Sequence, residues 1–259
     1  MMNPEVNLPF AAYLLALVAF GAAHVSRSAF WKKAGLALVI AGLLAQTVFL
    51  GARWASGGRV PLSNQYETLL VLSWALPALG LALLRRSTRL NLLPWAASAS
   101  LLALATASLL DPAIQPLMPA LRSNWLLYHV ASAMLGYAAF ALGAVLAVLS
   151  LLNRDREKAR DLDETQYRAL SLGFLLLTAG IFLGAVWANE AWGSYWSWDP
   201  KETWSLITWW VYAVALHLWR SRAWRGRRFA LANLLGFACV LITYFGVNFL
   251  MRSLHSYAL

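Results

Sequence analysis

The chain has 259 residues, 61% of them hydrophobic and 12% charged, with a mean hydropathy of +0.59. Soluble domains are about 45–50% apolar and about 25% charged, so this composition excludes a disordered chain. With Cys239 as the one cysteine, it also excludes a disulfide-stapled scaffold, a CxxC redox pair and a Cys-rich metal site. The net charge of +10 would suggest nucleic acid in a soluble protein, but in so apolar a chain its distribution among loops carries the meaning, and no nucleic-acid partner is expected.

Residues 1–9 contain Glu5 and no Lys or Arg, unlike a secretory leader, so the first apolar stretch reads as a retained span. In chain order the apolar stretches fall at about 8–26, 34–52, 67–84, 90–110, 125–152, 169–189, 203–219 and 229–251. The expectation is an all-α polytopic membrane protein of about eight transmembrane helices, forming a single domain over 1–259. Alternate connections hold Arg27, Lys32 and Lys33; Arg85, Arg86 and Arg89; Arg154, Arg156, Lys158, Arg160 and Arg168; and Arg220, Arg222, Arg225, Arg227 and Arg228. Only Arg53, Arg59, Arg122, Lys201 and Arg252 lie on the other side, so the four basic connections are predicted to be cytoplasmic and both termini to be outside. The mixed-charge segment 153–168 reads as a solvated connection.

Four histidines sort into two pairs by depth. His24 lies three residues before Arg27 and His217 three before Arg220, both at inner helix ends. At 1.5 Å per residue they sit roughly 24 Å and roughly 21 Å below the outer ends of their helices, where an ionisable side chain needs a partner. His129, four residues into the fifth span, and His255, beyond the eighth, share the outer face. Imidazole is an axial ligand of haem iron, so the pairs suit two bis-histidine haem positions; hydrogen-bonded bundle histidines are the alternative.

Seven of the 14 tryptophans, Trp187, Trp192, Trp196, Trp198, Trp204, Trp209 and Trp210, fall within 24 residues. An interfacial belt accounts for Trp31, Trp54, Trp125 and Trp224 but not for this density. The outer loop at about 187–204, with glycine and serine among Trp192, Trp196 and Trp198, offers rigid faces for a planar ring such as a porphyrin. Asp199-Pro200-Lys201-Glu202 has the pattern of an N-cap, a proline at the first helical position and a capping-box Glu. Ser63 or Asn64 followed by Glu67 reads the same way for the third helix.

The run Leu183-Gly-Ala-Val-Trp187-Ala-Asn-Glu-Ala-Trp192-Gly-Ser-Tyr-Trp196-Ser-Trp198-Asp199-Pro-Lys-Glu-Thr-Trp204 resembles the WWD signature of haem-handling proteins in cytochrome c biogenesis, most closely the CcsA (ResC) type. Val60-Pro-Leu-Ser-Asn-Gln-Tyr-Glu67, Ser123-Asn-Trp-Leu-Leu-Tyr-His129 and Leu254-His255-Ser-Tyr support the likeness, which runs from His24 to the end. CcmC-type relatives share the loop but have fewer spans and lack the membrane histidine pair.

The resemblance implies His129 and His255 as outer haem-iron ligands and His24 and His217 as membrane ligands. It implies Trp192, Trp196, Trp198 and Asp199 as further haem-binding residues. It implies transport of haem b across the membrane and its presentation to the CxxCH cysteines of apocytochrome c, with thiol-reducing proteins acting indirectly. A ResB (CcsB)-type subunit would be separate, since no such domain is fused here. The expected location is a bacterial inner membrane, or a thylakoid membrane for a plastid protein. Two alternatives stay open: a haem chaperone without ligation activity, and a transmembrane electron-transfer cytochrome, for which the tryptophan loop has no use.

Overall fold

The computed structural model describes residues 4–84, 92–153, 155–251 and 254–255. Arg85, Arg86, Arg89, Arg154 and Arg252, and the start of the expected fourth span, lie outside the described residues. Helix dominates, and no strand occurs among the described residues. An apolar phase leaves little alternative, because every backbone amide must find its partner within the segment. Two compact units form, Met1–Gln115 and Pro116–Leu259.

The first unit contains α1 (Pro4–Ser26), α2 (Ala29–Gly57), α3 (Gln65–Leu84) and α4 (Leu93–Ala107). Ser28 starts α2 by accepting the Phe30 N–H on its Oγ. A buried polar chain ties three helices: the Tyr13 hydroxyl donates to Gln46 Oε1 (2.7 Å), and Gln46 Nε2 donates to Ser73 Oγ (2.6 Å). Ser100 on α4 donates to the Ser73 carbonyl (2.9 Å).

Asn64 caps α3 through the Glu67 N–H, as its pattern predicts. Glu67 has a second task that the pattern does not announce. Its buried carboxylate receives Arg53 Nε at 3.1 Å and Arg59 Nη1 at 2.8 Å, and those guanidiniums reach on to the carbonyls of Pro112, Ala113 and Gln115. Two of the five basic residues assigned to the outer side therefore clamp loops together.

The second unit contains α5 (Asn124–Leu152), α6 (Arg156–Trp192), α7 (Pro200–Trp219), α8 (Arg227–Leu241), a π-helical turn (Ile242–Gly246) and α9 (Val247–Leu250). Gly136, Gly143 and several alanines are buried along α5, and such small residues let helix backbones approach closely. Segment 153–168 is not a solvated connection. Asp155 caps α6, whose first turns bury Leu162, Asp163, Thr165 and Gln166. Asp163 accepts from Trp219 Nε1 (2.8 Å) and the Gly226 N–H (2.9 Å), so its charge holds the end of α7 rather than facing water.

Among the described residues six helices are long and apolar enough to cross a membrane: Val6–Ser26, Ala29–Gly57, Gln65–Leu83, Asn124–Leu152, Glu157–Trp192 and Arg227–Leu250. Of the other two expected spans, α4 is apolar but only 15 residues long. The second, α7, has 20 residues, but its tryptophans, threonines, Glu202 and His217 lower its hydropathy.

Candidate functional site

Glycines place His129. On α6, Gly184 leaves the space that the ring fills, since a Cβ there would lie 2.6 Å from His129 Nδ1. One turn earlier, the Gly180 carbonyl is 2.7 Å from the same nitrogen. A carbonyl only accepts, so Nδ1 carries the proton and the Nε2 lone pair remains available. Trp187, one turn beyond Gly184 and two beyond Gly180, stacks on the imidazole at 6.1 Å and 10° between planes.

His255 is held from the other side. Asp199 caps α7 in a full capping box, as its pattern predicts, while Glu202 accepts the Asp199 N–H (3.2 Å). The same Asp199 carboxylate accepts the Leu254 N–H at 2.7 Å and lies 3.0 Å from His255 Nδ1. That places the proton on Nδ1 and the lone pair on Nε2, the arrangement found at His129. Burial alone would raise the Asp199 carboxyl, but hydrogen bonds from His255, Leu254 and Lys201, with the attraction of His255, hold it below the usual carboxylate range. Burial holds the His255 imidazole below its ordinary value, although Asp199 pulls the other way. Burial therefore favours the neutral imidazole, and the ionised Asp199 carboxylate behind it fixes its orientation.

Trp187 joins the two histidines. It is 1% exposed, its ring centroid lies 5.6 Å from His255 as well as 6.1 Å from His129, and its Nε1 donates to the Ala120 carbonyl at 2.9 Å. Leu121 and Leu126 pack around it. Trp192 meets His255 edge-on at 5.0 Å and Trp187 at 4.7 Å. Ser123, which caps α5, donates to Glu190 near the end of α6 and fixes the neighbouring loop. Trp187 was not among the residues expected to bind, although it lies in the dense tryptophan run; Gly180, Gly184 and Trp187 at helical spacing were the available signal.

Trp196 and Trp198 pack edge-to-face on each other at 5.8 Å. Trp198 is 68% exposed and adopts φ +58°, a left-handed conformation costly for a residue with a Cβ. Lys201 Nζ donates to Asn248 Oδ1 at 2.9 Å, tying the start of α7 to α9; burial, only partly offset by Asp199, lowers its ammonium to about 8.

His24 and His217 are presented differently. Each lies in the last turn of its helix, α1 in the first unit and α7 in the second. Both are exposed, and neither ring is hydrogen-bonded among the described residues. No cluster of three or more His, Cys, Asp or Glu suited to a bare metal ion occurs among the described residues.

These features define a helical membrane protein that presents two oriented imidazoles beside a tryptophan-rich loop. The family described as cytochrome C assembly protein matches residues 62–255, and the chain belongs to it. The chain is 38% identical over 301 residues to the cytochrome c biogenesis protein CcsA of Prochlorococcus marinus, covering 99% of this chain and 94% of that protein. The CcsA of Guillardia theta is also 38% identical, over 99% of this chain and 96% of its own, and that of Parasynechococcus marenigrum 41%, over 97% and 95%. Among solved structures, the cytochrome c haem lyase CcmF superposes with a TM-score of 0.74 over 98% of this chain. At 21% identity that likeness concerns the fold, and the chain spans about half, 47%, of that longer structure.

Proposed function

We propose that this protein carries haem b across a membrane and holds it on the outer side for attachment to apocytochrome c. Membership of the cytochrome c assembly family puts the chain in cytochrome c biogenesis. One observation carries the finer reading: His129 and His255 have their Nδ1 protons engaged, by a carbonyl and a carboxylate, on either side of Trp187. Such partners set the tautomer and raise the basicity of the nitrogen offered to iron, so these residues fit haem as substrate.

In this reading His129 and His255 would hold the haem iron. Gly180 and Asp199 orient them, Trp187 and Trp192 form the apolar wall, and Trp196 and Trp198 cover the porphyrin face. Asp199 acts through His255. Haem supplies the vinyl groups to which the CxxCH thiols add, and that addition depends on positioning more than on an acid or base. Two imidazoles held in this way would keep small molecules from the iron. His24 and His217 serve as ligands at the cytoplasmic level, where an exposed imidazole facing lipid would otherwise be costly.

The alternating basic connections support both termini on the outer side, with α4 and α7 completing eight spans. A separate ResB (CcsB)-type subunit and reduced apocytochrome c are the partners, with thiol-reducing proteins upstream. The membrane is the bacterial plasma membrane or, in a plastid, the thylakoid.

The test is purification of the protein and measurement of haem content and the Soret and α bands for the wild type and each His→Gly variant. The expected result is loss of the bis-histidine spectrum at the affected site, with partial return on adding imidazole. If His129→Gly and His255→Gly retain the wild-type spectrum and mature cytochrome c normally, the reading fails.

A further inference from the structure

Polar side chains in the core of the second unit have no part in the histidine site. Gln166 on α6, Tyr212 on α7 and Asn233 on α8 are wholly buried. Both polar atoms of Gln166, both of Asn233 and the Tyr212 hydroxyl lack a hydrogen-bond partner among the described residues. Leaving each such group dry forfeits the hydrogen bonds it makes to water in the unfolded chain. The core of the first unit shows the contrast, where Tyr13, Gln46, Ser73 and Ser100 form an unbroken hydrogen-bonded chain.

The three side chains are stacked in depth. The Tyr212 ring lies on Phe140 of α5 (3.8 Å, 2° between planes), and its Cζ is 2.7 Å from where a Cβ on Gly236 would sit. Asn233 is three residues before Gly236 on the same side of α8, and its Nδ2 is 3.3 Å from the equivalent point on Gly143, which Leu170 of α6 also faces. Gln166 lies one further turn along α6 from Leu170. In the opposite direction, Thr208 is one turn from Tyr212 on α7, its hydroxyl 3.3 Å from that of Thr243, and the line continues to Lys201 and Asn248. Gln166, Tyr212 and Asn233 thus follow one another over about two turns of α6, α7 and α8.

Water is the ligand that fits. It is small enough for a close-packed interior, and it donates and accepts in equal number, as two amides and a phenol require. We propose that Gln166, Asn233 and Tyr212 form an internal hydration site, a short file of ordered water along the axis of the second unit. The inference is independent of haem ligation.

The experiment is synchrotron radiolysis of the full-length protein in detergent, in which hydroxyl radicals form from water, bound water included, and side-chain oxidation is read by mass spectrometry. Tyr13 is the internal control, equally buried but hydrogen-bonded to Gln46. Oxidation of Tyr212 about fivefold or more faster than that of Tyr13 is the expected result for a side chain in contact with water. In the double variant Gln166→Met, Asn233→Leu the Tyr212 rate should fall toward the Tyr13 rate. Equal protection of Tyr212 and Tyr13 in the wild type overturns the proposal, and this comparison needs no variant to fold. An unchanged Tyr212 rate in a folded double variant also overturns it.

Discussion

His129 and His255 enter the structure already held: each has its Nδ1 proton committed, and each touches Trp187. His24 and His217 sit in the last turns of their helices, exposed and with rings that make no hydrogen bond among the described residues. A ligand whose ring is fixed beforehand loses little rotational freedom on binding, so its site holds its cargo in one orientation. An imidazole with no such support accepts a ligand at a larger entropic cost and releases it more readily. The difference fits the roles proposed above, presentation at the loop pair and entry at the membrane pair.

Trp187→Ala should separate the two classes most sharply. Removing this buried ring is expected to cost about 3–5 kcal/mol and to lower the melting temperature, whereas His24→Ala, at an exposed position, should stay within about 0.5 kcal/mol. Circular dichroism melts of both variants at equal detergent concentration make the comparison. Similar melts for the two would mean that Trp187 is not the keystone of the site.

Asp199→Asn should weaken haem binding at the loop site by about 10–100-fold. An amide there either donates to Nδ1, moving the proton to Nε2, or gives up the negative charge behind the ligand. The readout is haem titration monitored at the Soret band, and binding assigned to His24 and His217 should not change. Equal weakening at both sites would show that the pinned and unpinned histidines are not distinct.

The pH dependence follows from burial. The neutral imidazole is the ligating form, and burial holds His255 below its ordinary value in the folded chain. The unfolded chain therefore binds this proton more readily, and the stability tied to His255 is complete above the usual histidine range and declines as pH falls. The loop-site spectrum should persist as pH drops through about 6.5, the ordinary histidine value, and be lost only below it. Loss of the band above that range would contradict the neutral, carboxylate-backed ring.

The smallest effect is expected at Trp198. Its φ of +58° costs about 1 kcal/mol for a residue with a Cβ, so Trp198→Gly should leave stability equal or slightly raised. Cytochrome c maturation should nevertheless fall, while Trp198→Phe should retain part of it. Unchanged maturation in Trp198→Gly would make the exposed ring an interfacial anchor.

The apolar stretches located the helices because a bilayer sets their length and forbids unpaired backbone; α1, α2, α3 and α5 begin and end within five residues of the expected limits. Asp199 and Asn64 were legible as caps, since capping is a local matter of a few consecutive residues. Segment 153–168 was misread because its charges look solvated in sequence, and only packing shows Asp163 turned inward to Trp219 and Gly226.

Composition, hydrophobic spacing and the tryptophan run by themselves determined a helical membrane protein with four histidines and a dense cluster of tryptophans, because these properties depend on residue type and near neighbours. The tertiary structure decided which of those residues meet. Trp187 bridges His129 and His255, Gly184 makes room for a ring 55 positions earlier in the chain, and Asp199 reaches Leu254 and His255 across the start of α7. Contacts of that range arise from helix packing, in which a glycine one turn away sets whether an imidazole fits, and no local pattern encodes them.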